Sequence, residues 1–188
     1  MKQMAVFVSH GGSNLQAIID GCNQGEINAK VAVVISNNPD AYALRRAKNS
    51  GIPGFCLNKK ICGTSLGDEM LKLLTEFDVD IVFLAGYLKK LPGKVLQEYR
   101  GRVYNIHPSL LPKHGGKGMY GLNVHKAVLE AGEKESGATI HRVEAEYDTG
   151  EIMSQRIVQV REDDTPETLA KRVLAAEHEL IVETLSNL

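Results

Sequence analysis

The chain reads as an α/β protein built on a doubly wound, mostly parallel open sheet, and three observations predict this class. Short apolar strand patterns alternate with helical ones as far as Ala131, the signature of parallel strands joined by crossover helices. A glycine turn, Gly11-Gly12, joins the first strand directly to an amphipathic helix, which gives the N-terminal half a Rossmann-like opening. After Gly137 the alternation stops, and two strand-like runs succeed one another across a polar loop, predicting a late antiparallel pair that extends the sheet.

Taken in order, Met4 to Ser9 is the first strand. Leu15, Ile18, Ile19 and Cys22 then recur at i, i+3, i+4 and i+7, one face of an α-helix. Val31 to Ser36 and Gly54 to Leu57 are strands separated by a helix over Ala41 to Asn49. Helices at Asp68 to Glu76 and Gly93 to Tyr99 flank a strand at Asp80 to Ala85, and Val103 to His107 is the next strand. A helix over Val124 to Ala131 comes next; each of these helices is bounded by Gly, Pro, Asn or Asp. Ala138 to Val143 and Ile152 to Val160 form the late pair across Glu144 to Gly150. Thr165 as N-cap, with Pro166 at the first helical position, opens a long closing helix. No internal repeat or interdomain linker interrupts the pattern, so residues 1–188 are read as a single domain.

Composition narrows the function. The 188 residues are 43% hydrophobic with a formal net charge of −1, enough for one sizeable core and without the basic excess that nucleic acid would favour. Apolar runs such as Val31 to Ile35 and Ile81 to Ala85 are too short to cross a bilayer, and Lys2-Gln3 leads straight into a strand rather than a signal peptide. Cys22, Cys56 and Cys62 show no metal-ligand spacing and fit idle thiols in a reducing cytoplasm. No zinc site is readable from the histidines either, since none has a second ligand at i+2, i+3 or i+4.

Asn105-Ile106-His107-Pro108-Ser109-Leu110-Leu111-Pro112 carries the strongest chemical signal. The residue before a proline is biased toward extended geometry, so Asn105 and His107 stand two apart at a strand end and share one face. An amide donor beside an imidazole suits a developing oxyanion; a packed strand-end histidine is the plainer reading. Gly11-Gly12-Ser13-Asn14 at a helix N-terminus favours a phosphate monoester, with Ser13 and Asn14 as side-chain donors, or is a plain turn in which Ser13 caps the helix. Its spacing matches neither the dinucleotide fingerprint nor a P-loop, which argues against NAD or ATP. Asp148-Thr149-Gly150 is either a turn or a functional carboxylate, and its flanks, Glu146-Tyr147 and Glu151, disagree with an aspartic-protease motif. Glu177 falls inside the apolar stripe Leu169, Val173, Leu180 and Ile181 of the closing helix. A carboxylate there needs a ligand or a structural partner, unless the stripe frays and leaves it solvated. His125 and His141 could line the same cleft, while His10 and His114 lie in glycine-rich loops.

Ser13-Asn14-Leu15-Gln16-Ala17-Ile18, Leu84-Ala85-Gly86-Tyr87-Leu88, the Asn105 to Pro112 block and Asp148-x-Gly150 together closely resemble the phosphoribosylglycinamide formyltransferases, folate-dependent enzymes of purine synthesis. The likeness runs from about Met4 to about Leu185. It implies transfer of a formyl group from 10-formyltetrahydrofolate to the amino group of glycinamide ribonucleotide, with no metal. It further implies that Gly12, Ser13 and Asn14 hold the substrate phosphate and that Glu177 stands near the ribose. Leu88, Lys89, Lys90 and Leu91 would line the folate site with Asn105, and Asn105 and a protonated His107 would face the formyl oxygen. Asp148 would raise the pKa of His107 and help move the amine's proton, with His125 and His141 in supporting roles. Four places depart from the family pattern: His10 where glycine is usual, Cys62-Gly63-Thr64 where an arginine is frequent, Leu88-Lys89-Lys90-Leu91 in the folate segment, and Asn123 in place of a common histidine. Lys59, Lys60 and Lys89 are then the candidates to supply the missing positive charge.

Overall fold

The computed structural model describes all residues, Met1–Leu188. One seven-stranded sheet contains β1 (Lys2–Val8), β2 (Ala29–Ser36), β3 (Gly54–Cys56), β4 (Ile81–Leu84), β5 (Val103–His107), β6 (Glu135–Arg142) and β7 (Ile152–Gln159) in the order β3-β2-β1-β4-β5-β6-β7. The first five pair in parallel, whereas β6 joins β5 and β7 joins β6 antiparallel, as the change of pattern after Gly137 predicts.

The helices are α1 (Ser13–Asn23), α2 (Tyr42–Asn49), α3 (Lys59–Cys62), α4 (Leu66–Glu76), α5 (Gly93–Glu98), α6 (Leu122–Glu130) and α7 (Pro166–Ser186), with a 3₁₀ turn at Gly63–Ser65. Sequence periodicity predicts neither α3 nor the 3₁₀ turn, because a single helical turn is too short to show a 3.6-residue period. Local chemistry forms α3 instead: the Asn58 side chain accepts the Ile61 N–H at 2.9 Å as a helix cap.

Alternation along β1 explains the two packed layers. Met4, Val6 and Val8 meet Leu15, Ile18 and Ile19 of α1 and Leu180, Ile181 and Leu185 of α7 on one face. Ala5 and Phe7 meet Met70 and Leu74 of α4 and Val95 of α5 on the other. A smaller cluster joins Val128 of α6, Val158 of β7 and Leu169 and Val173 of α7. A strand covered on both faces needs apolar residues at every position, which is why β1 reads as a continuous apolar run. No helix is long and apolar enough to cross a membrane.

The starts of α7 and α1 are fixed in different ways. Thr165 accepts the Thr168 N–H and Thr168 accepts the Thr165 N–H, a capping box that sets the first turn of α7. At α1 the N-cap is Gly12 in the left-handed region (φ 72°), with no side-chain cap, so Ser13 is not the cap. A Cβ on Gly12 would come within 2.6 Å of the Ala43 Cβ, so both the backbone angle and the close approach of α2 require glycine.

Candidate active site

Strands β1 and β4 are neighbours whose crossovers lead to opposite edges of the sheet, a topological switch point with a crevice at the strands' carboxyl ends. The loops after β1, β4 and β5 all open at that end, so parallel pairing gathers the segments that the sequence singles out. Ser9 joins two of them: its hydroxyl accepts the Leu88 N–H at 2.9 Å and donates to Asn37 at 2.5 Å.

Asn105 and His107 lie on β5, with His141 and Thr139 of β6 as their respective register partners. Asn105 Nδ2 donates to His141 Nε2 at 3.1 Å, and His141 Nδ1 donates to the Arg142 carbonyl at 2.8 Å, which sets the tautomer of His141 and leaves Asn105 a second amide hydrogen. His107 is buried, and its Nε2 donates to the His114 carbonyl at 2.9 Å. Its Nδ1 is 3.7 Å from Asp148 Oδ2, too far for a hydrogen bond. Asp148 Oδ1 lies 3.5 Å from His141 Nε2, and Asp148 Oδ2 accepts the Gly116 N–H at 2.8 Å. Asp148 itself is left-handed (φ 55°), which aspartate tolerates better than most residues. Gly115 makes this approach feasible, since a Cβ there would stand 2.6 Å from Leu111 Cδ2 and 3.3 Å from Asp148 Cβ.

Electrostatics divide the pair. Burial alone would raise the Asp148 carboxyl, but His141, His107 and the Gly116 N–H outweigh it and hold it below the ordinary carboxylate range. Burial pushes His107 below its usual value, and Asp148 and the His114 carbonyl recover only part of that shift. Asp148 thus raises the His107 pKa, as the resemblance implies, but burial outweighs that rise. Nε2 donates to the His114 carbonyl, and Nδ1 is the ring nitrogen that faces Asp148.

Thr139, Gln155 and the backbone of His114 belong to this site without a sequence signal strong enough to single them out. Thr139 Oγ1 donates to the Ser109 carbonyl at 2.7 Å and accepts from Leu111 N at 3.0 Å and Gln155 Nε2 at 2.9 Å. Gln155 also donates to the Leu111 carbonyl at 3.0 Å. The clue in the sequence is spacing: Thr139 stands two residues before His141 on one strand face.

Around the glycine turn, the first intrahelical bond is Gln16 N–H to the Gly12 carbonyl, so the amides of Ser13, Asn14 and Leu15 precede it at the positive end of α1. His10 is exposed, and its carbonyl is tied to α2 by the Ala43 N–H at 3.0 Å, so the departure there leaves the turn anchored. The cation that reaches the turn is Arg46: Nε donates to the Gly11 carbonyl at 2.8 Å and Nη1 to Gln16 at 3.2 Å. Lys59, Lys60 and Lys89 are exposed. Asn14 also departs from expectation, since its side chain turns inward and donates to Glu177 Oε1 at 3.2 Å rather than facing an anion. Glu177 is buried, and burial pushes its carboxyl up to about 7 against the Asn14 hydrogen bond. The apolar stripe therefore does not fray at Glu177.

In the segment after β4, Leu91 is core, Leu88 is half-buried, and Lys89 and Lys90 are exposed. Lys90 Nζ pairs with Glu146 at 2.9 Å and lies 4.9 Å from the Tyr147 ring centre. A cavity of about 500 Å³ lined by Lys90, Gly116, Lys117, Glu146, Tyr147 and Thr149 opens beside Asp148. His125 on α6 is buried, with its pKa pushed down to about 4 by burial and then by His107. Asn123 makes a local bond to the Gly118 carbonyl at 3.2 Å, and Gly63 opens the 3₁₀ turn. No group of three or more His, Cys, Asp or Glu side chains has metal-holding geometry.

An amide, an imidazole and a carboxylate at the mouth of a doubly wound sheet, beside an anion-ready helix start, form an arrangement that can serve acyl transfer. Residues 2–185 match the family described as formyl transferase, and the chain belongs to that family. The chloroplastic phosphoribosylglycinamide formyltransferase of Arabidopsis thaliana is 48% identical over 187 residues, covering 98% of this chain and 64% of the relative. The phosphoribosylglycinamide formyltransferase of Haemophilus influenzae is 42% identical over 182 residues, covering 96% of this chain and 84% of the relative. The crystal structure of glycinamide ribonucleotide transformylase 1 from Symbiobacterium toebii superposes with a TM-score of 0.92 at 40% identity, over 99% of this chain and 86% of that one. The chain thus spans just under two thirds of the plant relative's length and most of the bacterial one's.

Proposed function

We propose that residues 1–188 act as one formyltransferase unit that moves the formyl group of 10-formyltetrahydrofolate onto the amino group of glycinamide ribonucleotide. The observation that carries this reading is the contact set of Asn105, His107, His141 and Asp148, with His107 Nδ1 3.7 Å from an Asp148 carboxyl held below the ordinary carboxylate range. The family and the names of its relatives support the reaction; this geometry supports the roles of Asn105, His107 and Asp148, and the remaining roles, that of Arg46 aside, are those that the resemblance implies.

The substrate amine attacks the formyl carbon, and a new N–C bond forms as charge gathers on the formyl oxygen. The free amide hydrogen of Asn105 meets that oxygen, a donor of a kind worth roughly 3 kcal/mol in comparable sites. His107 Nδ1 takes the amine's proton, and Asp148 stabilises the resulting imidazolium. The imidazolium then delivers the proton to the folate nitrogen as its bond to the formyl carbon breaks. Holding both reactants against this set supplies much of the remaining acceleration. The amides of Ser13 and Asn14 after Gly12 bind the substrate phosphate with help from Arg46, and Glu177 reaches the ribose. Leu88, Lys89, Lys90 and Leu91 flank the folate. Three unpaired cysteines suit a reducing cytoplasm.

The test is to mix the protein with 10-formyltetrahydrofolate and glycinamide ribonucleotide and to follow tetrahydrofolate release by absorbance. Release that depends on the ribonucleotide and survives EDTA supports the reading. Equal release with water as the only acceptor overturns it in favour of a deformylase.

A further inference from the structure

The segment after β4 is a short span pinned at both ends. At its far end Leu91 is packed in the core. At its near end the buried Tyr87 ring meets Phe7 of β1 edge-on, with ring centres 5.3 Å apart, and the Leu88 N–H donates to Ser9 Oγ at 2.9 Å. Lys89 and Lys90 stand exposed between these anchors. Gly86, in the left-handed region (φ 75°), is the joint from which the span leaves the sheet.

Ser9 is buried, and each of its polar groups has an assigned partner. The Leu88 N–H can only donate, so Ser9 Oγ accepts there and turns its single hydrogen to Asn37 Oδ1, 2.5 Å away. Asn37 follows β2, and its carbonyl accepts Asn58 Nδ2 at 2.9 Å. Because Asn58 Oδ1 caps α3 in turn, Asn37 is fixed from the element beyond it. The Ser9 carbonyl is secured separately by Asn38 Nδ2 at 3.2 Å, and the His10 carbonyl by the Ala43 N–H. The phosphate turn after β1 therefore keeps its anchors without the Ser9 hydroxyl, whereas Leu88 depends on it.

We propose that Ser9 is a positioning residue for folate binding: oriented by Asn37, its hydroxyl holds the Leu88 N–H and fixes the Leu88 to Leu91 span against β1. Removing the hydroxyl leaves that N–H without its acceptor and lets the span swing at Gly86, so the folate has to order it on binding. The contacts of Asn105, His107 and Asp148 involve no atom of Ser9 and stay in place. The proposal rests on the folate role given to the Leu88 to Leu91 span, and its test separates the two.

The experiment measures kcat, both KM values, melting temperature and hydrogen exchange at the Leu88 amide for the parent, Ser9→Ala, Asn37→Ala and Asn37→Asp. Ser9→Ala should raise the KM for 10-formyltetrahydrofolate about five- to tenfold, leave kcat and the KM for glycinamide ribonucleotide within about twofold, and speed exchange at Leu88 about tenfold. Asn37→Ala leaves the hydroxyl unoriented and should raise the same KM about threefold, while Asn37→Asp keeps an acceptor oxygen and should restore the parent's value. If Ser9→Ala raises both KM values alike, or lowers the melting temperature and moves neither, the hydroxyl is merely structural and the proposal is overturned. Unchanged exchange at Leu88 overturns it as well. Asn37→Asp as impaired as Asn37→Ala overturns the part given to Asn37. If the parent transfers no formyl group, the proposed reaction fails, while exchange at Leu88 and the calorimetric affinity for tetrahydrofolate still decide the role of Ser9.

Discussion

Replacing His107 with Ala removes the proposed base and its later imidazolium, so kcat should fall by about two to three orders of magnitude while both KM values hold. Steady-state kinetics with each substrate varied checks this; a raised KM at unchanged kcat would make His107 a binding residue. Asp148→Asn tests the partner. Asn adopts the left-handed region as readily as Asp and keeps the side chain's size, so the variant should fold with a melting temperature close to the parent's. Its turnover should drop by about two orders of magnitude, since the imidazolium loses its counter-charge. Asp148 raises the His107 pKa from below, so its removal lowers that pKa further, and the acid limb of the rate profile should move to lower pH. A profile identical to the parent's would return Asp148 to the status of a turn residue. Spacing alone places Asn105 and His107 on one face, and sequence resemblance adds Asp148. The charge state of His107 is not legible that way, because it depends on burial by loops distant in sequence. The inward turn of Asn14 is equally long-range: its partner Glu177 lies in the last helix.

Helix α7 shows how an element prepares the site. Its start is fixed by the capping box of Thr165 and Thr168, and its length carries Glu177 to Asn14 at the first turn of α1. Thr165→Ala leaves the Thr168 N–H without its side-chain acceptor and should cost about 1 kcal/mol, a fall in melting temperature of roughly 2 to 4 °C for a chain of this size. Transfer activity at 25 °C should be unchanged, because Glu177 sits about three turns further along a helix whose apolar stripe remains packed. Calorimetry beside the tetrahydrofolate-release assay measures both effects. Strands and long helices are legible in the sequence because each has enough residues to show its period and a chemical stop at its ends. Where they shift, they shift by a few residues: β6 begins at Glu135 rather than Ala138, since Glu135, Ser136 and Gly137 pair with β7 despite their low strand propensity. The one-turn helix α3 leaves no such period, because a capping side chain forms it rather than an apolar stripe.

Across the whole molecule, two buried groups make stability depend on pH in opposite directions. His125 has its pKa pushed down to about 4, so its contribution is intact above an unfolded value near 6.5 and is lost as pH falls through 4. Glu177 behaves the other way. Its carboxyl is raised from 4.5 to about 7, so between those values the folded protein holds a proton that the unfolded chain releases. Its contribution is therefore fully present below pH 4.5 and lost as pH rises through 7, by roughly 3 kcal/mol from a shift of this size. Over the shared window the two slopes oppose each other, and the parent's stability understates both. Glu177→Gln keeps the shape and the oxygen that accepts from Asn14 but cannot ionise, so it removes one slope alone. Urea unfolding of parent and variant at pH 5, 6, 7 and 8 should show the variant's advantage growing with pH by roughly 3 kcal/mol and levelling off above pH 7. A difference that stays constant from pH 5 to pH 8 would mean that Glu177 is ionised in the folded protein throughout. The buried Asn14–Glu177 pair would then be an ion–dipole contact rather than a neutral hydrogen bond between the two helices.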